Sequence, residues 1–186
     1  YIDLAYPVAA KICSSDICHK TEIGGVQLNI SSKSELTTAI ASIINNVEHH
    51  APDARLDGIL IESMINNAIL ELMASLRRDP QFGLVLTIAS GGVMTEILQD
   101  ASTVLVPADD ISLLAALDSL RIAPLFDGFR GGQAASRTAV LDQIKGLVSL
   151  MKAAPDIKEI EINPIMVGKD YACCADALIH ISCAEA

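Results

Sequence analysis

Basic residues are scarce in this chain. Against 23 aspartates and glutamates stand 13 lysines and arginines, which gives a formal net charge of −10 and an isoelectric point near 4.7. Nucleic-acid surfaces draw their affinity from many cationic contacts to phosphates. A general nucleic-acid surface is therefore excluded, and any place where cations gather becomes informative. Long apolar runs are missing as well, although 51% of residues are hydrophobic. The longest stretch without a formal charge, Pro80 to Thr95, holds 16 residues and includes three glycines and a proline, short of the roughly 20 apolar residues of a membrane span. The expectation is a soluble protein with no membrane partner. No basic, apolar, small-residue leader opens the sequence, so the expected compartment is the cytoplasm. Cys-x-x-Cys is absent, and the five cysteines, Cys13, Cys18, Cys173, Cys174 and Cys183, are odd in number. That excludes a zinc ribbon and a disulfide framework and predicts reduced thiols in an apolar interior. Internal repeats and the Walker pattern Gly-x-x-x-x-Gly-Lys-Ser/Thr are also lacking, so the chain holds no P-loop.

What is present alternates apolar runs with helical periods. Pro7–Ile12 and Gly24–Ile30 predict strands, and Leu36, Ile40, Ile43, Ile44 and Val47 trace one helical stripe behind serines that can cap it. Three strands follow, "ILIESM", "ILELMASL" and "FGLVLTIAS", broken by "INNA" and "RRDPQ" and expected to form the middle of one sheet. "VMTEIL" and "TVLVP" predict two more strands. A helix then starts at Asp109 and Asp110 with Leu113, Leu114, Leu117 and Leu120 on its apolar face, and a long helix covers about Ser136 to Ala153. Two strands, Ile157–Val167 and Tyr171–Ile181, close the chain. Strands and helices without strict alternation indicate α+β layering, with mixed sheets and flanking helices.

Two segments carry chemistry. In "DICHKTEIGG", residues 16–25, Lys20 stands beside His19 and precedes Gly24 and Gly25, whose amides a polyphosphate can approach without a Cβ in the way. Lys11 lies nine residues earlier inside an otherwise apolar strand; alone it reads equally as a snorkelling or edge lysine. His19 is either a structural polar residue or, beside phosphate ligands, a nucleophile toward phosphorus. His49 and His50 at a helix end, and His180 on the last strand, receive no chemistry. In the final hairpin, period-2 alternation puts Ile160 and Ile162 on one face and Glu159, Glu161 and Asn163 on the other. A turn centred between Lys169 and Asp170 makes Asn163 the direct partner of Asp176, with Cβ atoms about 4.5–5.5 Å apart. Such a carboxylate and amide can share a magnesium ion, or can be solvated polar residues of a half-exposed strand. Pro164 inside this strand marks an edge or a bulge.

The ordered motifs "YPVAAKICSSDICHKTEIGGVQLNI", "RRDPQFG", "GGVMTEILQDAS", "DGFRGG", "EIEINPIMV" and "ADALI" resemble the ATP-grasp domain of the nucleoside-diphosphate-forming acyl-CoA synthetases. These are the acetate-CoA ligases (ADP-forming), distantly related to the β subunit of succinyl-CoA synthetase. The likeness runs from about Tyr6 to Ile181. It implies an ATP-grasp fold with residues 1–65 as part of the small subdomain carrying the phosphate loop, and 66–186 as a second subdomain carrying the metal-binding hairpin. The helical segment that normally precedes the "YPV" strand is missing from this sequence. The resemblance further implies that Lys11, Lys20, Gly24 and Gly25 bind nucleotide phosphates, that Glu62, Ser63 and Met64 form the adenine hinge through their backbone, and that Glu71 holds the ribose. Asn163 and Asp176 correspond to Mg²⁺ ligands, Glu161 to a carboxylate near the transferred phosphate, and His19 to a second phosphoryl carrier. The implied cofactors are ATP or ADP and Mg²⁺. The implied partner is a CoA-binding domain or α-type subunit bearing the first phosphohistidine, with a small carboxylic acid and CoA as substrates of the whole enzyme. An alternative is a non-catalytic or regulatory module of a multidomain protein acetyltransferase. The hinge reads Glu62-Ser63-Met64 followed by Asn66-Asn67-Ala68 where the family usually has Gln-Glu-Met and a glycine-rich turn, and the later glycine-rich stretch reads Ala89-Ser90-Gly91-Gly92.

Overall fold

The computed structural model describes residues 5–92, 95 and 98–182. The chain divides between Asn66 and Asn67 into two compact units.

The first unit is a three-stranded antiparallel sheet, order β2-β1-β3, built from β1 (Val8–Cys13), β2 (Val26–Ile30) and β3 (Gly58–Ser63). Helix α1 (Lys33–His50) covers one face. Ser32 caps it by accepting a hydrogen bond from the Glu35 amide, while the Glu35 carboxylate accepts one from the Ser31 amide; this satisfies amides that the first turn leaves without helical partners. Alternation in β1 sends Val8, Ala10 and Ile12 into the core against Leu36, Ala39, Ile43 and Val47. Ile44, expected on the buried stripe, is 36% exposed, and Ala39 takes part in the core instead. Four residues per turn overshoot the helical period, so a stripe drifts and a small residue can close it.

The second unit is a six-stranded antiparallel sheet. Strands β6 (Ala101–Val106), β5 (Gly83–Ser90), β4 (Leu70–Asp79) and β7 (Ile157–Val167) lie side by side in that order, and β8 (Ala172–Cys174) and β9 (Ala177–Ile181) both pair with β7. Helices α2 (Asp110–Asp118) and α3 (Arg137–Ala153) cover one face, capped by Asp109 and Ser136. Leu72, Leu76, Leu86, Ile88, Ile160 and Ile165 from the sheet meet Leu117, Ile144 and Met151 from the helices. The three central strands expected in one sheet are thus divided: β3 belongs to the first unit, β4 and β5 to the second. "RRDPQ" breaks nothing until Pro80, since Arg77, Arg78 and Asp79 continue β4. Of the strand expected over Val93–Leu98, residues 93, 94, 96 and 97 lie outside the described residues, and Thr95 and Leu98 are helical; the Gln99 amide donates to the Thr95 carbonyl. The last expected strand is interrupted at Ala175 and Asp176.

Two arginines fasten this unit. Arg78 donates from Nε to the Ile157 carbonyl at 2.8 Å and from Nη2 to the carbonyls of Met151 and Ala154. It therefore terminates α3 and neutralises carbonyls that the helix cannot pair. Arg78→Met keeps the apolar stem and is expected to lower the unfolding free energy by about 2 kcal/mol, measurable by urea denaturation. Arg137 donates to Asp118 and Asp127 and lies over the Phe126 ring, and this hydrogen bond holds the Asp127 carboxyl below its ordinary range. A lowered carboxylate stabilises the fold above its unfolded value, and that contribution is lost as pH falls through the folded one.

The thiols differ from expectation. Cys18, Cys173 and Cys174 are exposed and Cys13 is half-buried; Cys183 lies outside the described residues. β8 is a short edge strand, so Cys173 and Cys174 keep much of their surface in water. Burial against the Gln143 side of α3 pushes the Cys174 thiol up. No helix among the described residues is long and apolar enough to cross a membrane.

Candidate nucleotide-binding surfaces

In the first unit, the open face of the sheet carries Lys11. Opposed residues of an antiparallel pair share a face, which sets Val26 and Leu60 beside Lys11, and Glu62 beside Ala9. Leu60 is 46% exposed, so this face presents apolar surface beside the charged pair of Lys11 and Glu62. Lys11 Nζ lies 2.8 Å from Glu62 Oε2.

The connection from β1 to β2 holds Lys20 and His19. Ile17 anchors it in the core, and the Asp16 carboxylate accepts the Arg55 amide at 2.8 Å. His19 projects outward with its side chain 73% exposed, Nδ1 lying 4.0 Å from Glu22 Oε1. Gly24 and Gly25 behave otherwise than expected. The Gly24 amide donates to the Thr21 carbonyl at 3.0 Å and the Gly25 amide to the Lys20 carbonyl at 2.8 Å. Both amides close the turn, because a tight turn satisfies its own polar groups first. The glycines are required for shape: Gly24 has φ +67°, and a Cβ there would lie 2.5 Å from Asn46 Nδ2, the atom that donates to the Gly24 carbonyl. At the hinge, the Met64 amide donates to the Pro7 carbonyl at 3.0 Å. It prolongs the β1/β3 pairing and is not an open donor for a base. Glu62 and Ser63 lie within β3, opposite Ala9 and Val8.

In the second unit, the face away from the helices gathers the remaining predicted residues. Ser75 opposes Glu161 and Arg77 opposes Glu159 across β4/β7, while Glu161 opposes Leu178 and Glu159 opposes His180 across β7/β9. The pairings Glu161 with Leu178 and Ile165 with Cys174 continue through the interruption, so Asn163 stands opposite Asp176 and its amide donates to the Asp176 carbonyl at 3.2 Å. The hairpin register is the one the turn position predicts. Asn163 and Pro164 form the bulge: between Leu72 and Ala74 the partner strand inserts an extra residue. Asp176 Oδ1 accepts the Ala177 amide at 3.1 Å.

One arrangement here is invisible in the sequence. Asn163 Oδ1 accepts the Gly92 amide at 2.8 Å. Gly92 adopts φ +62°, and a Cβ on it would fall 1.8 Å from Glu71 Oε2. The Gly91 amide donates to the Glu71 carbonyl at 2.9 Å. The glycine pair therefore brings Glu71 and Asn163 together, and it fixes the amide of Asn163 with its oxygen in a known direction. Ser75 Oγ donates to Glu159 Oε1 at 2.8 Å, and Glu159 had no expected role beyond the strand pattern. Among the described residues no three His, Cys, Asp or Glu side chains converge as a metal centre. The donor set at the hairpin is an amide oxygen and a carboxylate on opposed residues. These are hard ligands of the kind Mg²⁺ takes when phosphate and water complete its shell, so the residues fit that ion.

The ATP-grasp domain model matches residues 2–181. The chain belongs to the ATP-grasp family. ATP-grasp domains bind ATP or ADP, and the two sheets described above are this family's fold. The chain is 35% identical over 175 residues to the Acetate--CoA ligase [ADP-forming] I subunit beta of Pyrococcus furiosus, covering 94% of this chain and 75% of that protein. It is 32% identical to the Acetate--CoA ligase [ADP-forming] I of Archaeoglobus fulgidus, covering 88% of this chain and 24% of that protein. The chain thus spans three-quarters of a subunit-type relative and about a quarter of the longer one. Two structures of the dinucleotide forming Acetyl-coenzyme A synthetase 1 of Ca. Korarchaeum cryptofilum are also similar. One, in complex with coenzyme A, Ca-AMPCP and HgCl+, matches with TM-score 0.88 and 30% identity over 96% of this chain and 77% of that one. The other holds coenzyme A and Mg-AMPPCP, with its phosphohistidine segment pointing towards the nucleotide binding site; it matches with TM-score 0.77 and 27% identity over 95% of this chain and 77% of that one.

Proposed function

We propose that this ATP-grasp domain is the nucleotide-handling part of an ADP-forming acyl-CoA synthetase. It moves a phosphoryl group between ADP and a phosphohistidine while the complete enzyme interconverts acyl-CoA, ADP and phosphate with carboxylate, CoA and ATP. The observation that carries this reading is the register that opposes Asn163 to Asp176 on the face holding Glu71 and Glu161, in a chain whose relatives are such ligases.

Each residue has a part. Lys11 and Lys20 neutralise nucleotide phosphates, Gly24 and Gly25 shape the loop, and Glu71 accepts hydrogen bonds from the ribose. The apolar surface around Leu60, at the edge formed by Glu62, Ser63 and Met64, receives the base. Asn163 and Asp176 hold Mg²⁺, which when bound offsets the negative charge of the phosphates. Phosphoryl transfer depends chiefly on positioning and charge neutralisation. His19 takes the phosphoryl group from the phosphohistidine of a CoA-binding domain or α-type subunit and passes it to ADP, with Glu161 beside the transferred group. The exposure of His19 suits a residue that must meet two partners. The protein acts in the cytoplasm.

Calorimetric titration with ADP tests the reading. ADP is expected to bind more tightly with Mg²⁺ than without, and Lys11→Met to weaken it about tenfold, the effect of one charge-assisted hydrogen bond. Absence of ADP binding to the unaltered protein would return the chain to the class of regulatory modules.

A further inference from the structure

The ion pair between Lys11 and Glu62 sets a phosphate-binding cation against a carboxylate of the same sheet. Glu62 opposes Ala9, whereas Lys11 opposes Leu60, so the two charges are diagonal neighbours on one face, a separation that a long side chain spans. To reach Glu62, Lys11 leans along β1 toward the Ala9 rung and away from the connection carrying His19 and Lys20, which begins where β1 ends at Cys13. The result is a 2.8 Å contact in which the lysine side chain is only 11% exposed and the glutamate 40%. A polyphosphate approaching Lys11 meets a cation already neutralised and partly covered, with a negative charge beside it. Glu62 is not among the residues of its unit's hydrophobic core, and its carboxylate is held by Lys11.

We propose that Glu62 is a latch that competes with nucleotide phosphate for Lys11, so that binding a polyphosphate requires the pair to open. The inference rests on the assignment of Lys11 to phosphate made above. It makes residue 62 a determinant of how strongly the domain favours polyphosphates over the bare nucleoside.

Glu62→Gln preserves size and hydrogen-bonding capacity while removing the charge. It is expected to tighten ADP binding about three- to fivefold, the scale of a partly exposed ion pair. The gain should vanish when Glu62→Gln is made in Lys11→Met, because no cation is left to release; this double-mutant comparison separates competition for Lys11 from simple repulsion of the ligand. If Lys11→Met weakens ADP binding but Glu62→Gln leaves it unchanged or weakens it, the latch is wrong while the phosphate assignment stands. If Lys11→Met leaves ADP binding unaltered, the phosphate assignment falls and the latch falls with it. A gain that persists in the double variant also overturns the latch.

Discussion

Replacing His19 by alanine is expected to abolish ATP formation by the complete ligase, by about a thousandfold or more, the scale on which loss of a covalent nucleophile acts. ADP affinity should stay within about twofold, as for other exposed substitutions. The two halves of this result have separate physical causes. The His19 side chain is 73% exposed, with Nδ1 4.0 Å from Glu22 Oε1, so its removal opens no cavity and leaves no buried group without a partner. The loop is held by Ile17, by Asp16 accepting the Arg55 amide, and by the turn that Gly24 and Gly25 close, none of which involves the imidazole. In the proposed relay, a bond forms between an imidazole nitrogen of His19 and phosphorus as the partner's nitrogen–phosphorus bond breaks. An oxygen of the ADP β-phosphate then attacks, and the His19 bond to phosphorus breaks in turn. No other histidine shares this connection, so an alanine there offers no acceptor. Acid-labile radiolabel transferred from ATP to this chain should disappear in the variant. Full turnover by His19→Ala would remove the residue from the mechanism.

Asp176→Ala is expected to erase the Mg²⁺-dependent part of nucleotide binding, a loss of at least about tenfold at saturating metal. Asp176 stands opposite Asn163 midway along a register that is the same on both sides of it, from Glu159 to Val167, so its position is inherited from the whole strand pair. Asn163 cannot compensate alone, because a single neutral oxygen, which also accepts the Gly92 amide at 2.8 Å, is a poor substitute for a charged ligand to a hard divalent cation. In a chelator the unaltered protein and the variant should bind ADP equally. Equal stimulation of both by Mg²⁺ would show that the metal, if bound, takes its protein ligands elsewhere.

The pairing of Asn163 with Asp176 was legible in the sequence because strand geometry has a strict period of two, and because Gly168, Lys169 and Asp170 locate the turn. With both known, the register is arithmetic. The serine cap of α1 and the start of α2 at Asp109 were legible for a similar reason, since the first helical turn always lacks amide partners. The division of the strands between two sheets was not legible in the strand pattern, because Ile65–Ala68 reads as an ordinary interruption and nothing local distinguishes a turn within a sheet from a departure to another; a boundary there was implied by the family resemblance alone. The roles of the glycines were misread at Gly24 and Gly25 and incompletely read at Gly92. A glycine's sequence position announces conformational freedom, but only the fold shows which carbonyl its amide meets.

By itself the sequence determined most of the elements, the acidic surface with its few cations, and the polar face of the closing hairpin, because each follows from composition or from a fixed periodicity along the chain. Tertiary structure alone decided that Lys11 is held by Glu62, that Gly92 orients Asn163, and that Ser75 binds Glu159. These contacts join residues 51, 71 and 84 positions apart, and a side chain's partner at such distance is selected by which strands become neighbours, a choice governed by burial of the whole apolar face.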